Sequence, residues 1–157
     1  TSCFPKNWSV IDRLLKVIDL FIVDLKTLDA IKHESVIRWP LSPILANLNG
    51  LFKARANVRL HIPIIPGFND SSQDIDAFVS FIAAHAEYIS GVDILNYHCH
   101  GEVKYRALGR AYAYEGIEET NSNRLHRFAR ALRRAGIPSV TIGGLVGVNR
   151  AVTEASV

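Results

Sequence analysis

Four short runs rich in apolar and β-branched residues, separated by stretches with helical spacing, constrain this chain most. The runs are Leu20 to Val23, Val58 to Ile65, Val92 to Tyr97 and Ser139 to Ile142. Runs of this length and composition suit strands buried in a parallel sheet. The stretches around them repeat at i, i+3, i+4, i+7, the period of a helix with one buried face. Ile11, Leu14, Leu15 and Ile18 make the first such stripe, and Ile44, Leu48, Leu51 and Phe52 the second. Ile75, Phe78, Val79 and Ile82 make the third, and Leu125, Phe128, Ala129 and Leu132 the last. Ser42-Pro43 supplies an N-cap with proline at the first helical position, and Ser71 with Asp74 a capping box. Strands alternating with helices predict an α/β fold with parallel β/α units. About four strands are too few to close a barrel of about eight, but they make part of one, leaving edge strands open.

No linker or shift in composition divides the chain, so residues 1–144 read as one domain. The tail 145–157 lacks a clear period and reads as loosely structured. Residues 99–119 read as one long loop, a length that in a compact domain usually carries function. With 48% apolar and 21% charged residues among 157, the chain has the profile of a soluble globular protein. No stretch approaches the roughly 18 apolar residues of a membrane span, and no secretory signal is visible, which predicts a cytoplasmic location. Cys3 and Cys99 form neither a disulfide framework nor a zinc pattern. Two matches to the glycosylation pattern, at Asn7 and Asn69, read as chance without such a signal. A start at Thr1 and a composition without methionine lead us to expect a piece of a longer protein.

Alternation places i and i+2 on one face of a strand. Asp24 and Lys26 share a face at the carboxyl end of the first strand, where β/α barrels keep their chemistry. The competing account is a local ion pair that opens the next loop. Arg59 and His61 share a face of the second strand that would line a barrel interior, and position alone leaves His61 open between a satisfied core histidine and a site residue. Asn96 and His98 share a face at the carboxyl end of the third strand, so three strands are expected to bring polar groups to one region. His98-Cys99-His100 invites a zinc reading, but no fourth ligand has characteristic spacing nearby. The arginines of the last helix (Arg124, Arg127, Arg130, Arg133 and Arg134) read as a solvated face, without the stacking aromatics of a nucleic-acid surface.

Several motifs then occur in a specific order: Asp24-Leu25-Lys26, Ile64-Ile65-Pro66-Gly67-Phe68-Asn69-Asp70, Tyr97-His98, Lys104 to Gly109, and Thr141-Ile142-Gly143-Gly144. Together they resemble the carboxyl-terminal half of the glycyl-radical-enzyme activating enzymes, radical S-adenosylmethionine (SAM) proteins of the pyruvate formate-lyase activating type. The resemblance implies a partial TIM-like (β/α) barrel and two cofactors, SAM and a 4Fe-4S cluster held by C-x-x-x-C-x-x-C. In such enzymes one electron, from a donor such as flavodoxin or ferredoxin, cleaves SAM. The resulting 5′-deoxyadenosyl radical takes a hydrogen from a glycine of the protein substrate, a glycyl radical enzyme. By resemblance, Lys26 faces the SAM carboxylate, and His98, His61 and Asn96 belong to the SAM site. Asp24 and Thr1 match residues at a monovalent-cation site. No nucleic acid or membrane partner is implied.

The departures have consequences. The chain contains no C-x-x-x-C-x-x-C, so its two cysteines cannot supply three cluster thiolates, and we expect it to be inactive alone. The acidic residue expected before Thr1 is absent, and Cys3 stands where glycine is usual. His61 stands where many members have arginine, Asn96 replaces a common proline, and Arg38 to Leu41 replaces a Thr-Gly turn. The two absences lead us to expect truncation, and the replacements a divergent member. Two other accounts remain: a phosphate-binding β/α barrel fragment using Gly143-Gly144, and a degenerate non-catalytic half barrel.

Overall fold

A computed structural model describes residues 8–97, 100–111, 115–117 and 120–143, with the backbone alone for residues 100–103. Four parallel strands form one sheet in the order β1-β2-β3-β4, with β1 at Phe21–Asp24, β2 at Val58–Ile64, β3 at Ile89–Asn96 and β4 at Val140–Ile142. The expected α/β class and partial barrel are therefore present. Helices α3 (Ser42–Lys53), α4 (Ser72–Ala83) and α6 (Ser122–Arg134) fall where the stripes predict them, whereas α1 (Trp8–Leu14) ends before Leu15 and Ile18 of its stripe and buries only Ile11. The remaining two are α2 (Ala30–Ile37) and α5 (His100–Ala107).

One sheet face carries Phe21, Val23, Val58, Leu60, Ile62, Ile64, Val92 and Ile94, all buried in one apolar core with the helix stripes. Ile44, Leu48 and Leu51 of α3 and Phe78 and Ile82 of α4 pack there, and Phe128 of α6 meets Phe78 with ring centroids 6.0 Å apart. The opposite face carries the polar residues described below.

Two elements escaped the periodic signal. Helix α2 buries only His33 and leaves Ile31 82% exposed, so it has no apolar stripe to read. It is held by its ends instead. Asp29 accepts from the N–H groups of Ile31 and Lys32, and the His33 Nδ1 lies 2.7 Å from the Trp39 carbonyl oxygen. The predicted loop 99–119 contains α5, whose polar, basic sequence likewise lacks a stripe. The third strand also begins earlier than Val92. Between Val58/Arg59 of β2 and β3 the register shifts: Val58 pairs with Ile89 but Arg59 pairs with Gly91, so Ser90 is an extra residue. The Ser90 hydroxyl donates to the Val58 carbonyl across the irregularity. Thr1, His98, Gly144 and the tail 145–157 lie outside the described residues.

Candidate functional site

The register produces a transverse row of polar side chains. Asp24 pairs with His61, His61 with Asp93, and Asp93 with Thr141, one residue from each strand on the face away from the helices. A one-residue slip would turn every side chain to the other face. The extra residue at Ser90 therefore decides that Asp93, not Val92, lies beside His61.

Asp93 is fully buried and anchors the row. The Arg59 Nε and Nη2 donate to its two oxygens at 2.6 and 2.5 Å, a bidentate fork, and the Thr141 hydroxyl also donates to it. The Arg59 Nη1 donates to the Ser139 hydroxyl at 3.2 Å. Burial alone would raise the Asp93 carboxyl, but the bonds from Arg59 and Thr141 and the nearby positive charge outweigh it and hold the carboxyl below its ordinary range. Its hydrogen bond to Asp93 pushes Arg59 up against the opposing effect of burial. A β-carbon at Gly91 would lie 2.2 Å from the Arg59 Nη1, so glycine is what lets the guanidinium cross β3.

His61 sits between two carboxylates. Its Nε2 is 3.0 Å from Asp93 Oδ2, close but out of line for a regular hydrogen bond, and its Nδ1 is 3.9 Å from Asp24 Oδ1. Asp24 also meets Lys26, with Nζ and Oδ2 4.0 Å apart and both side chains about one-third exposed. An ion pair so long and so exposed contributes little to stability and leaves both groups available to a ligand.

The backbone around Lys26 is fixed much more firmly than its side chain. The Leu25 N–H donates to the His61 carbonyl at 2.9 Å. Asn69, fully buried, donates from its amide to the Lys26 and Pro63 carbonyls, both at 2.7 Å, and accepts from the Ile65 N–H at 2.7 Å. One side chain thus clasps the carboxyl ends of β1 and β2. The turn before it needs Gly67 at φ 75, where a β-carbon is strained, and the Gly67 N–H donates to Asp70. Asp70 in turn receives Arg124 of α6 on its carboxylate and on its carbonyl. The Ile64–Asp70 motif is therefore a clasp that positions Lys26.

Three expectations change. Asn96 pairs in register with Ile64, in the row of core residues, so β3 brings Asp93 rather than Asn96 to the row of Asp24 and His61. The signal was present, because Asp93 is flanked by the apolar Val92 and Ile94 and so faces away from the core. The last helix is not wholly a solvated basic face, because Arg124 holds Asp70 and Arg133 donates to the Val140 carbonyl at 2.9 Å. Gly143, proposed for an anion, spends its N–H on the Ile94 carbonyl at 2.8 Å. His98 and Thr1 lie outside the described residues. Among the described residues, no group of three or more His, Cys, Asp or Glu side chains is arranged to hold a metal ion, and no helix is long and apolar enough to cross a membrane.

No family model matches the chain. In structure it resembles a crystallised domain of pyruvate-formate lyase-activating enzyme from Bacteroides vulgatus, with a TM-score of 0.74, 20% identity, and coverage of 91% of this chain and 78% of that one. That likeness establishes the fold: a partial β/α barrel. In sequence it is 56% identical over 156 residues to the benzylsuccinate synthase activating enzyme of Thauera aromatica, covering 98% of this chain and 47% of that protein. The choline trimethylamine-lyase activating enzyme of Oleidesulfovibrio alaskensis is 30% identical over 139 residues, or 87% of this chain and 45% of its own length. The chain belongs to the glycyl-radical-enzyme activating enzymes and spans about half the length of the curated relatives it matches.

Proposed function

We propose that the chain forms one wall of the SAM site of an enzyme that installs a glycyl radical on a partner of the benzylsuccinate synthase kind. The observation that carries this is the 56% identity, sustained over nearly the whole chain, to an activating enzyme of that name. The geometry supports a SAM wall. Lys26 presents a partly exposed ammonium at the end of β1, on a backbone clasped by Asn69, and an ammonium suits a carboxylate. His61 adds a ring whose Nδ1 lies 3.9 Å from Asp24 Oδ1, beside the same strand end. Asp24 is the candidate for a monovalent cation, with Thr1, and His98 completes the proposed SAM contacts.

The 4Fe-4S cluster does not fit this chain. Cys3 and Cys99 are its only cysteines, and the cluster needs three thiolates from the protein. A cluster held by residues outside this chain would supply the reducing electron for SAM. What this chain supplies is orientation and charge: Lys26 neutralises the SAM carboxylate, and behind it Arg59 offsets the charge of Asp93. The electron donor is a small redox protein such as a flavodoxin or ferredoxin, and the site of action is the cytoplasm.

A chimera tests this. The matching residues of the Thauera aromatica protein are replaced by this chain, and the product is reconstituted anaerobically with iron, sulfide, dithionite and SAM. Formation of 5′-deoxyadenosine, and of a glycyl radical signal on benzylsuccinate synthase, is expected, and Lys26→Ala should weaken SAM binding at least about tenfold. A folded chimera that binds SAM no better than its Lys26→Ala variant sinks the proposal.

A further inference from the structure

We propose that Asp93, clamped by Arg59 and Thr141, is a positioning residue that sets the orientation and tautomer of His61. The inference rests on the SAM reading for the ligand, but not for the positioning itself. Asp93 lies opposite His61 across adjacent strands, with Oδ2 3.0 Å from the His61 Nε2. Its two oxygens already accept from Arg59, so it cannot turn away, and with that partner it stays ionised. An ionised carboxylate at this distance repels a nitrogen lone pair, so the proton of a neutral His61 belongs on Nε2. Nδ1 is left as the acceptor, on the side of Asp24 at the carboxyl end of β1. The pairing of Arg59 with Asp93 also cancels the charge that Asp93 would otherwise place beside the ligand. Three departures from a plain strand serve this one arrangement: the extra residue at Ser90, the glycine at Gly91 beneath the guanidinium, and a buried ion pair in an apolar strand.

The test replaces both members of the pair with apolar residues, Arg59→Met with Asp93→Leu, since removing one alone strands a buried charge. Long-range proton–nitrogen spectra of the 157-residue chain read the His61 ring directly. An Nε2-bound proton in slow exchange is expected in the unaltered chain, with exchange about tenfold faster in the pair variant while the backbone amide spectrum is retained. Should the pair variant not fold, Thr141→Val, which removes one donor from Asp93, should speed the same proton by a smaller factor. SAM affinity is then measured in both His61 and His61→Ala backgrounds. Removing the pair should cost about tenfold where His61 is present and nothing where it is absent, the signature of an effect transmitted through one residue. A His61 ring unmoved by loss of its carboxylate neighbour, or an equal loss of affinity in both backgrounds, overturns the proposal. A ring effect in a chain whose chimera binds SAM no better than its Lys26→Ala variant upholds the positioning and removes the SAM reading.

Discussion

Gly91 shows how much one residue decides. A methyl there would meet the Arg59 Nη1 at 2.2 Å and the Ser139 carbonyl oxygen at 3.0 Å, and the second cannot move without the backbone. Gly91→Ala is expected to cost about 1–3 kcal/mol, read as a lower urea midpoint. The Arg59–Asp93 pair behaves asymmetrically. Losing Asp93 alone leaves a buried guanidinium without its carboxylate, at a cost of about 3–5 kcal/mol, whereas replacing both partners is close to neutral. Acid acts on the same group and on Asp74, which also lies below its ordinary range. Burial opposes that shift, but bonds from Lys32 at 2.7 Å and from Ser71 overcome it. A carboxyl lowered in the folded state stabilises above its unfolded value of about 3.9, and that contribution is lost as pH falls through the folded value. Urea midpoints should therefore hold from neutral pH down to about 5 and drop below about 4. A midpoint that rose in acid would contradict both assignments.

Among the elements, α2 and α4 are joined in an unexpected way. Asp74 closes the capping box of α4 with Ser71 and at the same time receives the Lys32 ammonium of α2. Helix α2 has little apolar surface to hold it, so its caps and this bridge carry the work. Its C-cap residue, Arg38, has φ 61, a conformation that glycine adopts without cost. Arg38→Gly is expected to stabilise by up to about 1 kcal/mol, measured as a shift in thermal midpoint, with no change in SAM affinity. The helices with apolar stripes were legible in advance because burial and periodicity are the same fact. Helices α2 and α5 were not, because their stability lies in end bonds that leave no period.

At the scale of the whole molecule, the sheet is a partial barrel whose polar row faces away from the helices, with β1 and β4 at its edges. Two cysteines cannot hold a three-thiolate cluster. The 157-residue chain, given iron, sulfide and dithionite under anaerobic conditions, should develop no stable cluster absorbance and form no 5′-deoxyadenosine from SAM. Turnover by the chain alone would refute this. The α/β class and the family were legible in the residues. Apolar runs and helical stripes report burial directly, and Asp24-Leu25-Lys26 and the Ile64–Asp70 motif kept their order and spacing. Other features depended on tertiary structure. Asp93 became the anchor of the row, and Asn96 left it, because one extra residue at Ser90 shifted β3 against β2. Asn69 became a clasp because its amide could reach the Lys26 carbonyl, 43 positions away in sequence. A side chain's face follows from its own strand, but its partner follows from the register between strands, and that is set only when the sheet assembles.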